Sequence, residues 1–190
     1  MLFRSASRPI ADTWHAVGMA ATDSLDVSFD DVQLPSAAEI GDAGFYLRRR
    51  GFWHGAIDVA ACWYGGALGA FRMLHGRLAG VTATDHQLAH LGAIAAACDM
   101  MRTALRAAGA EIDACGSTDP DGHRRALVVR HIVEQGCQDV LVRVGRAGGT
   151  AALVFERAHA RRAADLVVYL RQHHAERDLA ELGGMVLGAR

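Results

Sequence analysis

Three short stretches of this sequence hold residues of the types and spacings that catalysis or ligand binding uses. The first is His173-His174-Ala175-Glu176-Arg177-Asp178, where imidazoles stand close to carboxylates. A histidine near a carboxylate can serve as a general base around neutral pH, which makes His173 a candidate. The same string also suits an exposed helix junction. The second stretch is Gly145-Arg146-Ala147-Gly148-Gly149-Thr150. Adjacent glycines let the backbone come close to another group, and a helix starting just beyond them can meet a phosphate. A simple turn between helices explains the same residues. The third is His86-x-x-x-His90, two imidazoles on one helix face. Zinc proteases use that spacing with a glutamate between; here Gln87, Leu88 and Ala89 intervene, so no metal site is expected. No G-x-S-x-G elbow, Walker loop or G-x-G-x-x-G occurs, which excludes those routes to acyl transfer and phosphate cradling.

The elements that must position these residues follow from composition and pattern. A chain of 190 residues, 51% apolar and rich in alanine, can bury a sizeable core. Only Pro9, Pro35 and Pro120 interrupt it. The net charge is −1, and the short arginine runs Arg48-Arg49-Arg50 and Arg161-Arg162 fit solvated helix ends rather than the basic stripe of a nucleic-acid binder. The four cysteines form no C-x-x-C pair; they read as buried thiols of a cytoplasmic protein, not as a disulfide framework. The charge-free apolar run 59–71 is too short to cross a bilayer and reads as a core helix. No secretory n-region opens the chain. Met1-Leu2-Phe3-Arg4-Ser5 has no periodicity, and the natural protein is expected to begin further upstream.

Before residue 45 the pattern is that of strands. Residues 13–17 and 25–29 are rich in β-formers, and 30–35 continues as a third extended piece, with Val27, Phe29 and Val32 expected to face a core. So few strands cannot make an independent sheet, so residues 1–44 read as the remnant of a larger β domain. From residue 45 onward the period becomes helical. The spacing predicts a helix over 49–76 with Phe52, Ala56, Val59, Trp63, Ala67, Ala70 and Leu74 on one face. Its glycines Gly55, Gly65, Gly66 and Gly69 cost about 1 kcal/mol each against alanine, a cost that close helix contacts would offset. Thr84-x-x-Gln87 is a capping box opening a second helix with stripe Leu88, Leu91, Ala95, Cys98, Met101, Leu105, Ala108 and Ile112. A third helix is expected over 123–146, with Ala126, Val129, Val133, Cys137, Val140 and Val144 inward, ended by the glycine-rich turn. Shorter helices follow at 150–160, 162–174 and after Glu176. The expected fold is mainly α: an antiparallel up-down bundle of about four main helices over 45–190, preceded by the short strand remnant.

One segment is more specific than pattern alone. Trp14-His15-Ala16-Val17-Gly18-Met19, then Thr22-x-Ser24-x-x-Val27-x-Phe29-x-x-Val32-x-x-Pro35, resembles the stretch with which acyl-CoA dehydrogenases close their β domain and enter a C-terminal helical bundle. The resemblance extends over nearly the whole chain and is most specific in its first 35 residues. It implies an FAD-dependent oxidoreductase acting on CH–CH bonds of acyl thioesters, assembled as a homo-dimer or homo-tetramer. In the family, R-x-x-F-G is followed seven residues past the glycine by a glutamine. Gly80 and Gln87 keep that spacing, with Ala79 in place of the phenylalanine and Arg77 one residue off. The family's Q-x-x-G-G, which touches a neighbouring subunit's FAD, is similar to Gly145-x-x-Gly148-Gly149 without its glutamine; the arginine of G-M-R is Ala20 here. The resemblance thus implies Arg77, Gln87, Gly148 and Gly149 as cofactor-binding residues. The family's catalytic glutamate has no counterpart: with Ala164-Asp165 on the family's R-D pair, His173 falls near its place. Flavin-dependent monooxygenases of the same superfamily use a histidine in that region, which is the alternative activity. A non-catalytic helical oligomerisation partner would need none of the residues lost at Ala20, Ala79, Gly145 and His173. The family's N-terminal helical domain and most of its β domain have no counterpart in this chain, so as a C-terminal fragment it is expected to bind FAD weakly and to be inactive alone.

Overall fold

The computed structural model describes residues 7–49, 51–115 and 118–188. The opening pentapeptide, expected to mark a start inside a longer protein, lies outside the described residues. Strands β1 (Ser7–Pro9) and β2 (Val27–Phe29) pair antiparallel, with Ser7 opposite Phe29 and Pro9 opposite Val27. The remnant is smaller than its β-formers suggest. Residues 13–17 and 30–35 join no ladder, and Val27 and Phe29 are exposed rather than turned to a core. Left-handed backbone at Asp12, Met19, Asp23 and Asp31 bends the chain away from extension on either side of these segments. Propensity without neighbouring strands leaves β-formers unpaired.

This segment nevertheless anchors to the helices. The Met19 N–H donates to Asp165 Oδ1 at 2.6 Å, and the Trp14 indole N–H donates to the Met19 carbonyl at 3.1 Å. Gly18 lies so close to Ala164 that a Cβ would sit 1.9 Å from its carbonyl oxygen. Only glycine fits there.

Six helices are described: α1 (Phe45–Arg48), α2 (Gly51–Leu78), α3 (Asp85–Ala114), α4 (Gly122–Val154), α5 (Arg157–Tyr169) and α6 (Glu176–Leu187). The capping box is formed. Thr84 Oγ1 accepts the Gln87 N–H, and Gln87 Oε1 accepts the Thr84 N–H at 3.0 Å. Directions follow from the contacts at the ends. His54, early in α2, meets Asp119 just before α4, whereas Glu111, late in α3, meets Arg125 early in α4. Helices α2 and α4 therefore run together, with α3 against them. Along α5, Arg162 faces Gly69 and Leu166 faces Gly66, so that helix runs back down α2. The result is an up-down-up-down bundle, as expected.

The predicted inward face of α4 is buried at all six positions, and that of α2 from Trp63 to Leu74. On α3 the expected face is buried at Cys98, Met101 and Ala108 but exposed at Leu88, and it widens to take in Ile94 and Ala97, because α3 packs against both α2 and α4. Gly66 and Gly69 give the close approach to α5 that their cost requires, but Gly55 and Gly65 have open space around them. Of the cysteines, Cys98 and Cys137 are buried, Cys115 partly so, and Cys62 is exposed, which corrects the expectation of four buried thiols; none of the four is in a disulfide. Burial pushes the Cys137 thiol up to about 12. Among the described residues, no helix is long and apolar enough to cross a membrane.

Candidate functional site

The glycine-rich turn is not where the third helix ends. Backbone stays helical through Gly148, breaks at Gly149 (φ 61°, ψ −168°) and resumes over 150–154. A conformation of that kind is open to glycine and strained for any other residue. The restarted piece is too short to bring a helix dipole to a phosphate. Around the break gather residues from three other places in the chain. Gln87, held by the capping box, donates Nε2 to the Ala147 carbonyl at 3.3 Å. Arg77, at the end of α2, donates Nη1 to Glu156 Oε1 at 3.0 Å. A Cβ on Gly148 would meet Ala152 at 2.8 Å and Leu74 at 3.9 Å. Arg77, Gln87, Gly148 and Gly149 thus share one end of the bundle.

An anionic nucleotide fits this end in part. Nothing lies within 4 Å of the position a Gly149 Cβ would take, so the backbone there is open to close approach. Arg77 and Gln87 already have partners and would have to exchange them. The Arg77–Glu156 pair is solvated at both ends, and such pairs hold by only about 0–1 kcal/mol.

His173 lies elsewhere. Its ring centroid is 5.9 Å from that of His131 on α4. Gly148 is roughly 25 Å further along that helix, at 1.5 Å rise per residue. The polar string 173–178 divides: His174, Glu176 and Arg177 are exposed, as a helix junction should be, but His173 and Asp178 are buried. His173 Nδ1 accepts the Ala175 N–H at 3.1 Å, so the neutral ring carries its proton on Nε2, which has no partner. Burial holds the His173 pKa below its ordinary value; the Glu134 and Asp178 carboxylates oppose that shift without reversing it. In this tautomer His173 offers a donor, not the lone pair of a base.

Beside it, Glu134 is almost fully buried. It accepts from Arg171 Nη2 at 2.6 Å, from Gln135 Nε2 at 2.9 Å and from Gln138. One helical turn earlier, Arg130 donates Nη1 to the Ala56 carbonyl at 2.9 Å and Nη2 to the Gln172 carbonyl at 2.6 Å, with its guanidinium 4.7 Å from the Trp63 ring centre. Sequence reasoning passed over Arg130, His131 and Glu134. The available signal was their position: Arg130 and Glu134 each follow directly on a buried valine of the α4 stripe, where a solvated charge does not belong.

His86 is exposed and His90 half-buried, and among the described residues no three metal-ligating side chains stand together. No protein-family model matches the sequence, and no curated protein matches it either.

Proposed function

We propose that this chain supplies the helical-bundle side of an FAD-dependent oxidoreductase of the acyl-CoA dehydrogenase kind, acting on acyl thioesters. The observation that favours it is the meeting of Arg77, Gln87 and the Gly148–Gly149 break at one bundle end, since these are the positions that the family resemblance assigns to the cofactor. Arg77 would hold a phosphate, Gln87 would donate a hydrogen bond, and the open backbone at Gly149 would admit the nucleotide. Bound there, FAD would supply two-electron redox chemistry. By the same resemblance that end belongs to a nucleotide shared with a second copy of the chain. Exposed Leu153, Val154 and Phe155 beside the break favour such self-association.

The test is an amide-resolved titration of the chain with FAD and with ADP. Gly148, Gly149 and Gln87 should shift in a saturable manner, and Arg77→Ala should weaken binding several-fold. Unmoved amides at that end, at nucleotide concentrations where half a site still binds, would remove the reading and leave a non-catalytic oligomerisation module.

His173 favours a second activity, flavin-dependent monooxygenation, because this buried imidazole with an unpartnered Nε2–H falls, by the family resemblance, near the place of the dehydrogenases' glutamate. Reduced flavin and oxygen would then be required for turnover, and His173→Gln would abolish it.

A further inference from the structure

A second region of the bundle, independent of the flavin reading, is built to take a ligand. Between the first turns of α2, the second and third turns of α4 and the start of α6 lies a cavity of about 470 Å³, within the size range of small-molecule sites. One wall is aromatic and fixed in place. The Trp53 ring stacks on His123 with centroids 3.7 Å apart, Phe52 packs edge-on against Trp53 at 4.9 Å and against Tyr46 at 5.8 Å, and the Arg49 guanidinium caps Tyr46 at 3.8 Å. Ala56, Val59 and Leu127 continue the apolar lining.

Arg49, His174, Arg177, Asp178 and Glu181 also line this cavity, but Arg49, His174 and Arg177 are exposed, whereas the Arg130 cation is only 9% exposed. Its two hydrogen bonds go to carbonyl oxygens, and among the described residues no carboxylate lies within ion-pair distance. The two carboxylates that line the same space are engaged by other groups. Asp178 accepts the His174 N–H at 3.3 Å and stands 3.6 Å from Arg177 Nε, and Glu181 stands 3.2 Å from His123 Nε2. Holding a buried cation on neutral acceptors is costly unless an anion completes it.

We propose that this cavity binds a small organic carboxylate with an apolar body, its carboxylate on Arg130 and its body against the Phe52–Trp53 wall. Arginine is suited to this because its planar fork matches a carboxylate. The ligand is a carboxylic acid anion of medium length, aliphatic or aromatic, rather than a phosphate dianion, since the Asp178 and Glu181 carboxylates line the same space and the wall of Phe52, Trp53, Ala56, Val59 and Leu127 calls for an apolar body.

The experiment is calorimetric titration of the full chain with sodium octanoate and, in parallel, with octanamide, which keeps the shape and loses the charge. Octanoate should bind saturably and octanamide at least about tenfold more weakly, the size expected when a hydrogen-bonded charge is removed. Arg130→Gln should bring octanoate down to the level of octanamide. Because that substitution touches the core, Gly55→Leu serves as a second variant. A side chain at Gly55 meets nothing within 4 Å and enters the cavity space, so it should block octanoate while leaving thermal stability unchanged or higher. No binding of octanoate, equal binding of octanamide, or undiminished binding by Gly55→Leu would each overturn the proposal.

Discussion

Two arginines five positions apart on α4 show how differently one helix can use the same residue. Arg125 and Arg130 are both under a tenth exposed. Arg125 closes a network. Its Nη1 donates to Asp119 Oδ2 at 2.8 Å, its Nη2 to Asp119 Oδ1 at 3.1 Å and its Nε to Glu111 Oε2 at 2.7 Å, while Asp119 also meets His54 Nε2 at 3.0 Å. That network ties α2, α3, the loop after α3 and α4 together. Its hydrogen bond to Asp119 raises the Arg125 pKa above the ordinary value, and bonds from Arg125 and His54 hold Asp119 well below the carboxylate range. Arg130 has carbonyls and a Trp63 face instead, and burial lowers its pKa. A charge paired by direct contact within the protein is structural; one whose hydrogen bonds go to carbonyls, with the Asp178 carboxylate acting on it only from a distance, is available at the edge of a cavity to something outside it.

The widest separation should come from deleting the cations. Arg125→Met leaves Asp119 buried without its main partner and should cost about 3–5 kcal/mol, seen as a large fall in the urea midpoint. Arg130→Met removes the donors of two carbonyls but also removes a poorly compensated buried charge. Those effects oppose one another, so the net loss should stay near 1 kcal/mol. Equal losses at the two positions would end the distinction.

Neither arginine was picked out from sequence, whereas the helices holding them were. Alternation at three- and four-residue steps revealed the inward faces of α2 and α4, and Thr84 and Gln87 marked the start of α3 to the residue, because these features depend on neighbours within one turn. Burial of Arg130, Glu134 and His173 depends instead on contacts between α4, α2 and the turn after α5, far apart in the chain. The string 173–178 looks uniformly solvated when written out, and only packing sorts His173 from His174. The same limit explains residues 13–17, whose β-forming composition needs a partner strand that the described residues do not supply. The grouping of Arg77, Gln87 and Gly148–Gly149 was not legible in periodicity; it entered through family resemblance, and the bundle then brought them to one end.

Acid should expose the Arg125 network next. The folded-state pKa of Asp119 is depressed, chiefly by the hydrogen bond from Arg125, then by the one from His54. Its contribution is fully present above the unfolded value near 3.9 and is lost as pH falls from there through the folded value. Asp119→Asn should therefore cost about 2 kcal/mol at pH 6, and the gap to the parent chain should narrow by roughly 1 kcal/mol at pH 3. A gap that is flat across that interval would mean that Asp119 is not held as an anion. The Asp178 carboxylate acts on Arg130 without direct contact, so Arg130→Met should show a smaller narrowing.

The smallest effect tests whether the network's outer member matters. Glu111 bonds Arg125 Nε at a shorter distance than either Asp119 contact, yet its side chain is 61% exposed against 3% for Asp119. Distance alone would rank Glu111 first. Solvent reverses that order, because an exposed carboxylate recovers its hydration when the bond breaks and a buried one does not. Glu111→Gln should thus lower stability by under 1 kcal/mol, and the loss should shrink further in high salt, while Asp119→Asn should be nearly indifferent to salt. A Glu111→Gln loss as large as that of Asp119→Asn would show that contact length, not burial, sets the strength of the network, and would undo the contrast between Arg125 and Arg130 drawn from burial and partner type.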